Sequence, residues 1–279
     1  MYARPKLNRL PYEFKRILRK ATEQRLSCDR PVLLFSGGTD SLAVFWTLLE
    51  LSPKLATYTF RLEEKVSQDS RAANAAAAHW GIVNYPIVIK DGGAKNTAEE
   101  VKRVVRKIGS ARKTHVECAW PFIHIEPRIP EGAQVWCGIN ADDLYGSARS
   151  VATTYGKDAS PRAFAEFRRK LLADEKTSAW EALGKVFDKS EVVSPYRDPE
   201  LIDLMCKYSW GELNRPRQKW FVVEAFRKQY EQLAIYRRND NLQCGSGVRD
   251  RMALMLEDES VNNRKHKKVQ QLYKEWLDE

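Results

Sequence analysis

Residues 36–41 read Ser-Gly-Gly-Thr-Asp-Ser and separate two apolar runs, Val32–Phe35 and Leu42–Leu51. Two glycines let a backbone approach an anion closely and take a positive φ where needed. The unpaired N–H groups that open a following helix point at the same place. Ser36 and Ser41 add hydroxyl donors, with Thr39 between them. Such a set is a phosphate cradle at a helix N-terminus; the plainer alternative is a glycine-rich turn. Asp40 suits a phosphate site only through a cation, and Mg2+ takes one or two carboxylates together with phosphate oxygens. The pattern G-x-x-x-x-G-K-[ST] is absent, so no lysine is offered here to a γ-phosphate.

The elements that must position this loop follow from periodicity. Phe14, Ile17, Leu18 and Ala21 recur at helical spacing within 11–26, and Val32–Ser36 reads as a buried strand. Leu42–Leu51 is apolar nearly all round, as a buried helix is. Further strands are expected at 56–60, 85–89 and 133–138. Between them lie an alanine-rich helix from Asp69 to Gly81 and an amphipathic helix carrying Val101, Val104, Val105 and Ile108. Thr97 and Glu100 have the spacing of a capping box ahead of that second helix. Strands alternating with helices predict an α/β fold with a mostly parallel twisted sheet and helices on both faces. After about residue 150 strand patterns stop, and five helical stretches follow. The expected organisation is an α/β core over 1–150 and a helical region over 151–279 packed on it.

Composition bounds the partners. The chain has 279 residues, 43% hydrophobic and 30% charged, which describes a globular protein. No apolar segment approaches the roughly 20 residues of a membrane span. The N-terminus lacks the apolar core of a secretory signal, so a cytoplasmic location is expected. Five cysteines without C-x-x-C spacing argue against a disulfide framework or structural zinc, and four scattered histidines are not at ligand spacing. A net charge of +10 calls for an anionic partner or serves solubility, and it admits nucleic acid.

The loop SGGTDS resembles the S-G-G-x-D-S pyrophosphate loop of ATP pyrophosphatases, enzymes that adenylate a substrate and release pyrophosphate. Within them, the chain is similar to the synthetase domain of asparagine synthetase and β-lactam synthetase. DRPVLLFSGGTDS and YTFRL (58–62) are placed as they are there, and CGINADDLYG (137–146) resembles the S-G-x-G-x-D-E-x-x-G signature. SPYRDPELIDLM (194–205), QKWFVVEAF (218–226) and YRRNDNLQCGSG (236–247) follow in the family's order. Deazaguanine synthases of the same group end in a zinc-binding cysteine cluster that is missing here. The resemblance implies an adenine nucleotide alpha hydrolase-like fold and the use of ATP and Mg2+. It implies nucleotide contacts from Ser36, Gly37, Gly38, Thr39, Asp40 and Ser41, with Phe60 and Gly138 lining the adenine pocket. Asp40 and Asp142 would hold Mg2+, while Lys219, Arg238 and Asp143 would act in catalysis. For Asp142 an exposed turn carboxylate is the other reading, and for Lys219 a solvated helix face.

Two positions depart from the pattern. Where asparagine synthetases carry a glutamate tied to the amine step and then a glycine, this chain has Ile139 and Asn140. The family's late catalytic lysine corresponds to Asn239, preceded by Arg237 and Arg238, which either supply the charge or lie on the surface. An arginine stabilises pyrophosphate but stays protonated, so it is no general acid. The expected activity is an AMP- and pyrophosphate-forming ligase that joins a carboxylate to an amine. No amidotransferase segment is read in the sequence, so free ammonia, ammonia from a partner amidotransferase (glutaminase), or a different amine is the expected source. The alternative is a nucleobase, tRNA or DNA modifier using the same adenylation.

Overall fold

The computed structural model describes residues 7–156, 160–173, 179–233, 245–261 and 269–279. Five strands, β1 (Val32–Leu34), β2 (Ala56–Leu62), β3 (Asn84–Ile89), β4 (Gln134–Trp136) and β5 (Glu191–Val193), form one sheet in the order β3-β2-β1-β4-β5. All pairings are parallel. The α/β class with a parallel sheet between helices is therefore the one the sequence predicts.

Period-two alternation divides the strands between two helical layers. Leu33, Phe35, Trp136 and Val193 enter one core, with α1 (Leu10–Arg25), α2 (Thr39–Leu51) and α3 (Gln68–His79). Val32, Leu34, Val135 and Val192 enter the other, with α4 (Gly93–Ile108) and α5 (Lys113–Ala119). The central strand β1, covered on both faces, reads as a continuous apolar run.

After β4 come α6 (Ala141–Tyr145), α7 (Arg149–Tyr155), α8 (Pro161–Ala173) and α9 (Ala179–Val186). Beyond β5 lie α10 (Pro199–Met205), α11 (Trp210–Asn214), α12 (Trp220–Ala225), α13 (Arg227–Leu233), α14 (Val248–Glu257) and α15 (Val269–Asp278). β5 is the strand that sequence periodicity misses. Its three residues are too few to show a period, and they become a strand by pairing with β4 at Val135↔Val192.

Two helix starts differ from expectation. α4 begins at Gly93, and Thr97 is buried inside it rather than capping it. Glu100 accepts instead from Trp120 Nε1 at 3.0 Å and Asn96 Nδ2 at 3.1 Å, so no capping box forms. α3 begins at Gln68, because the Ser67 side chain accepts from the N–H of Ser70. Asp69 lies in its first turn.

β1 is central, and the chain leaves it toward β2 on one side while β4 lies on the other. The loops after β1 and β4 therefore diverge at the carboxyl ends of adjacent strands, where open α/β sheets form their binding crevice. Gly37 lies in the first of these loops with φ +70, and an added Cβ would be 2.4 Å from Ala73 N in α3. Alanines at 72, 73, 76 and 77, all buried, let α3 come this close. Gly37→Ala should therefore destabilise the protein by about 2 kcal/mol or more. Gly81→Ala, with φ +66 but nothing within 4 Å, should cost only about 1 kcal/mol. Urea denaturation of the two variants measures the difference; equal losses would contradict the close approach.

Candidate functional site

The loop after β1 is organised by its own side chains. Ser36 Oγ accepts from the Gly38 N–H at 3.2 Å and lies 3.0 Å from Ser41 Oγ. Ser41 Oγ donates to Gly38 O at 3.1 Å. Gly38 is the extended N-cap of α2, which starts at Thr39. Ser36, Gly37, Gly38, Thr39, Asp40 and Ser41 thus form one tight turn into a helix N-terminus.

Sheet register sets what flanks this turn. Leu34 on β1 is level with Tyr58, so Phe60 on β2 stands two residues beyond, at the end of the sheet where the loop lies. Its ring meets Phe122 edge-on at 6.0 Å. On the other side Leu33 is level with Trp136, and Gly138 follows two residues later. An added Cβ on Gly138 would lie 3.1 Å from Ser41 N and 3.3 Å from Asp40 Cβ. The backbone of the second loop is therefore laid directly against the first.

Asn140 follows in the left-handed region at φ +71 and caps α6. Asparagine tolerates this conformation better than other residues with a side chain. That accounts for its standing where the related signature has glycine. Its Nδ2 donates to Asp143 Oδ2 at 3.0 Å. Burial raises the Asp143 carboxyl above the usual range, opposed by Asn140 and by the nearby Arg197 charge. Ile139 packs partly buried against the apolar layer, and its carbonyl accepts from Ser194 Oγ at 2.5 Å.

The centre of the site is an ionic triad. Lys219 Nζ lies 2.5 Å from Asp40 Oδ2 and 2.7 Å from Asp142 Oδ1. The lysine side chain is only 2% exposed, against 14% for Asp40 and 46% for Asp142. Lys219 is therefore not on a solvated helix face. It is the N-cap of α12, held at φ +58, and its carbonyl accepts from Val222 and Val223. Tyr196, unsuspected from sequence, fixes the other partner: its hydroxyl donates to Asp40 O at 2.8 Å. The resemblance of residues 194–205 to a family segment was the only clue to it. Arg238, with Arg237 and Asn239, lies outside the described residues.

Charge and burial compete within the triad. Burial pushes the Asp40 carboxyl up to about 6, against the pull of Lys219 and with the help of Asp142. For Lys219 burial disfavours the ammonium, but the two carboxylates outweigh it and hold its pKa above the usual value. At neutral pH the Lys219 ammonium therefore faces an Asp40 carboxyl that is mainly ionised.

The donor set fits Mg2+. Asp40 Oδ1 is buried and has no hydrogen-bond partner, and Asp142 faces it across the lysine. No cluster of three or more ligating side chains occurs among the described residues. Two carboxylates plus phosphate oxygens and water are what Mg2+ accepts.

A helix-flanked parallel sheet whose switch point carries S-G-G-T-D-S and a facing acid defines an enzyme of the ATP-pyrophosphatase, or PP-loop, class. The asparagine synthase family model matches residues 13–183, more than half of the chain, and the protein belongs to that family. It is accordingly an ATP-using, adenylating type of enzyme. No curated protein matches the chain. Among solved structures, U34-tRNA thiolase NcsA from Methanococcus maripaludis with its [4Fe-4S] cluster aligns over 98% of this chain and 80% of that chain. Identity is 15% and the TM-score 0.37, too distant to bear on chemistry. Lys219 lies beyond the family match and reaches the site through the fold alone.

Two outcomes test the triad. Lys219→Met leaves Asp40 buried against Asp142 without a counter-ion and should cost about 3 kcal/mol. Adding Asp40→Asn should recover part of that loss in urea denaturation. The second concerns pH. Because the folded Asp40 holds its proton more tightly than an unfolded aspartate near 3.8, its contribution to stability is complete below that value and is lost as pH rises through about 6. Asp40→Asn should therefore gain stability relative to the wild type between about pH 4 and about pH 7. A parallel fall in both proteins would contradict the raised carboxyl.

Proposed function

We propose that the protein is an ATP-dependent ligase that activates a carboxylate as its acyl-adenylate and transfers it to an amine, forming an amide, AMP and pyrophosphate. The observation that carries this reading is the junction of Asp40, Asp142 and Lys219 beside the Ser36–Ser41 turn. In this scheme a substrate carboxylate oxygen bonds to the α-phosphorus of ATP while the α–β bridging P–O bond breaks. Pyrophosphate then leaves into the backbone and hydroxyl donors of residues 36–41. Lys219 supplies positive charge where the leaving group gathers negative charge. Asp40 and Asp142 would hold Mg2+, which when bound neutralises phosphate charge. Phe60 and Gly138 flank the turn on opposite sides and would border the adenine.

In the second step the amine attacks the acyl carbon and AMP departs. The nitrogen must lose a proton, and the carboxylate of Asp143 is the base that would take it. A carboxyl raised by burial holds a proton better at neutral pH than an ordinary aspartate does. Ile139 cannot take that proton, so the amine side differs from that of asparagine synthetases. Ammonia from a separate source, or a different amine, is the expected nucleophile.

The charge of +10 supports a second reading, in which the adenylated acceptor is a nucleobase of RNA or DNA. Binding to tRNA or DNA that weakens steeply with salt would favour it.

Incubation with ATP, Mg2+ and a panel of carboxylic acids should release pyrophosphate and AMP. Asp40→Ala should reduce this release by at least about a hundredfold, and Asp143→Asn should slow amide formation more than pyrophosphate release. Production of ADP and phosphate instead would refute the ligase reading.

A further inference from the structure

The place between the two site carboxylates is already taken by a cation. Lys219 Nζ contacts Asp40 Oδ2 at 2.5 Å and Asp142 Oδ1 at 2.7 Å, so two negative charges and one positive leave a single net negative charge. A bare divalent ion would have either to displace the ammonium from these oxygens or to take the remaining Asp40 Oδ1 right beside it, where the two cations repel each other. Among the described residues no other carboxylate pairs with this ammonium. Its side chain is 2% exposed, its backbone is fixed at φ +58, and the Tyr145 ring lies 6.0 Å from Nζ. A non-glycine residue held at positive φ persists only when its surroundings over-determine it. Displacing the lysine without a new anion would strand a buried, unpaired charge, which is strongly unfavourable.

A nucleotide changes this balance. Its phosphates arrive with the metal, carry negative charge of their own and offer the ammonium another partner.

We infer that Lys219 is a resident counter-cation that closes the Asp40–Asp142 pair to free divalent ions, so that the metal enters only as its nucleotide chelate. This rests on the assignment of both aspartates to the metal in the proposed function. Lys219 thus does two things with one charge. It stabilises an acid pair in the empty protein, and it ties metal occupancy to the presence of phosphate. The site would then stay free of adventitious Mg2+ when no nucleotide is bound.

The test uses Mn2+ as the probe, with free Mn2+ followed by electron paramagnetic resonance on the full chain without turnover. Wild-type protein should leave Mn2+ free at concentrations where one ion per chain binds once α,β-methylene-ATP is added. Lys219→Met should bind Mn2+ without nucleotide about tenfold more tightly than the wild type, and Asp40→Asn in that background should remove the gain. Lys219→Gln serves as a second variant should the methionine substitution impair folding, and the wild-type comparison stands without either. Wild-type binding of Mn2+ alone as tight as with the analogue would overturn the inference while leaving the aspartates as metal ligands. Lysine variants as inert to the bare ion as the wild type would also overturn it. Absence of bound Mn2+ even with the analogue would overturn the metal assignment itself and the inference with it.

Discussion

The structure turns on keeping two carboxylates together beside the turn of residues 36–41. Asp40 is buried, and Asp142 is brought to within reach of the same ammonium. Burying an ion pair seldom stabilises a protein outright, since desolvation offsets the attraction, but leaving either charge alone is worse. The Asp40 carboxyl pushed up to about 6 is the residue of that contest. Lys219 must therefore stand where it does, and its left-handed backbone shows that α12 begins so as to deliver it there.

Around this constraint the sheet acts as a ruler. Parallel strands of matched register put the turn after β1, Phe60 on β2 and Gly138 after β4 at one end. Small residues then remove the space between them: Gly138 against Asp40 and Ser41, Gly37 against Ala72 and Ala73. Each contact is backbone against backbone or methyl, so larger side chains would force the loops apart. The packed layers on both faces, rather than the loops themselves, fix the position of the turn.

The residues after 150 are part of that machinery. β5 extends the sheet beside β4, and the segment following it turns back over the site. Ser194 binds the carbonyl of Ile139, Tyr196 binds that of Asp40, and Arg197 lies near enough to Asp143 to act on its charge. The family match ends at residue 183, yet residues 194–219 supply the partners of Ile139, Asp40 and Asp142.

The sequence by itself determined the alternation of strand and helix, the turn at 36–41 and the identity of Asp40 and Asp142 as its acids. These are local properties: apolar periodicity, glycine where the chain must turn tightly, and donors in a fixed order. It left β5 unseen, because three residues have no period, and it misplaced the start of α4, because the helix begins at Gly93 with Thr97 and Glu100 both inside it, Glu100 accepting from Trp120 and Asn96. It could not choose between surface and site for Lys219, since a lysine beside apolar residues reads the same in both. Only the tertiary structure decided that, by bringing together Asp40 and Lys219, 179 positions apart in the chain, so that burial, not spacing, selects the partner of the charge.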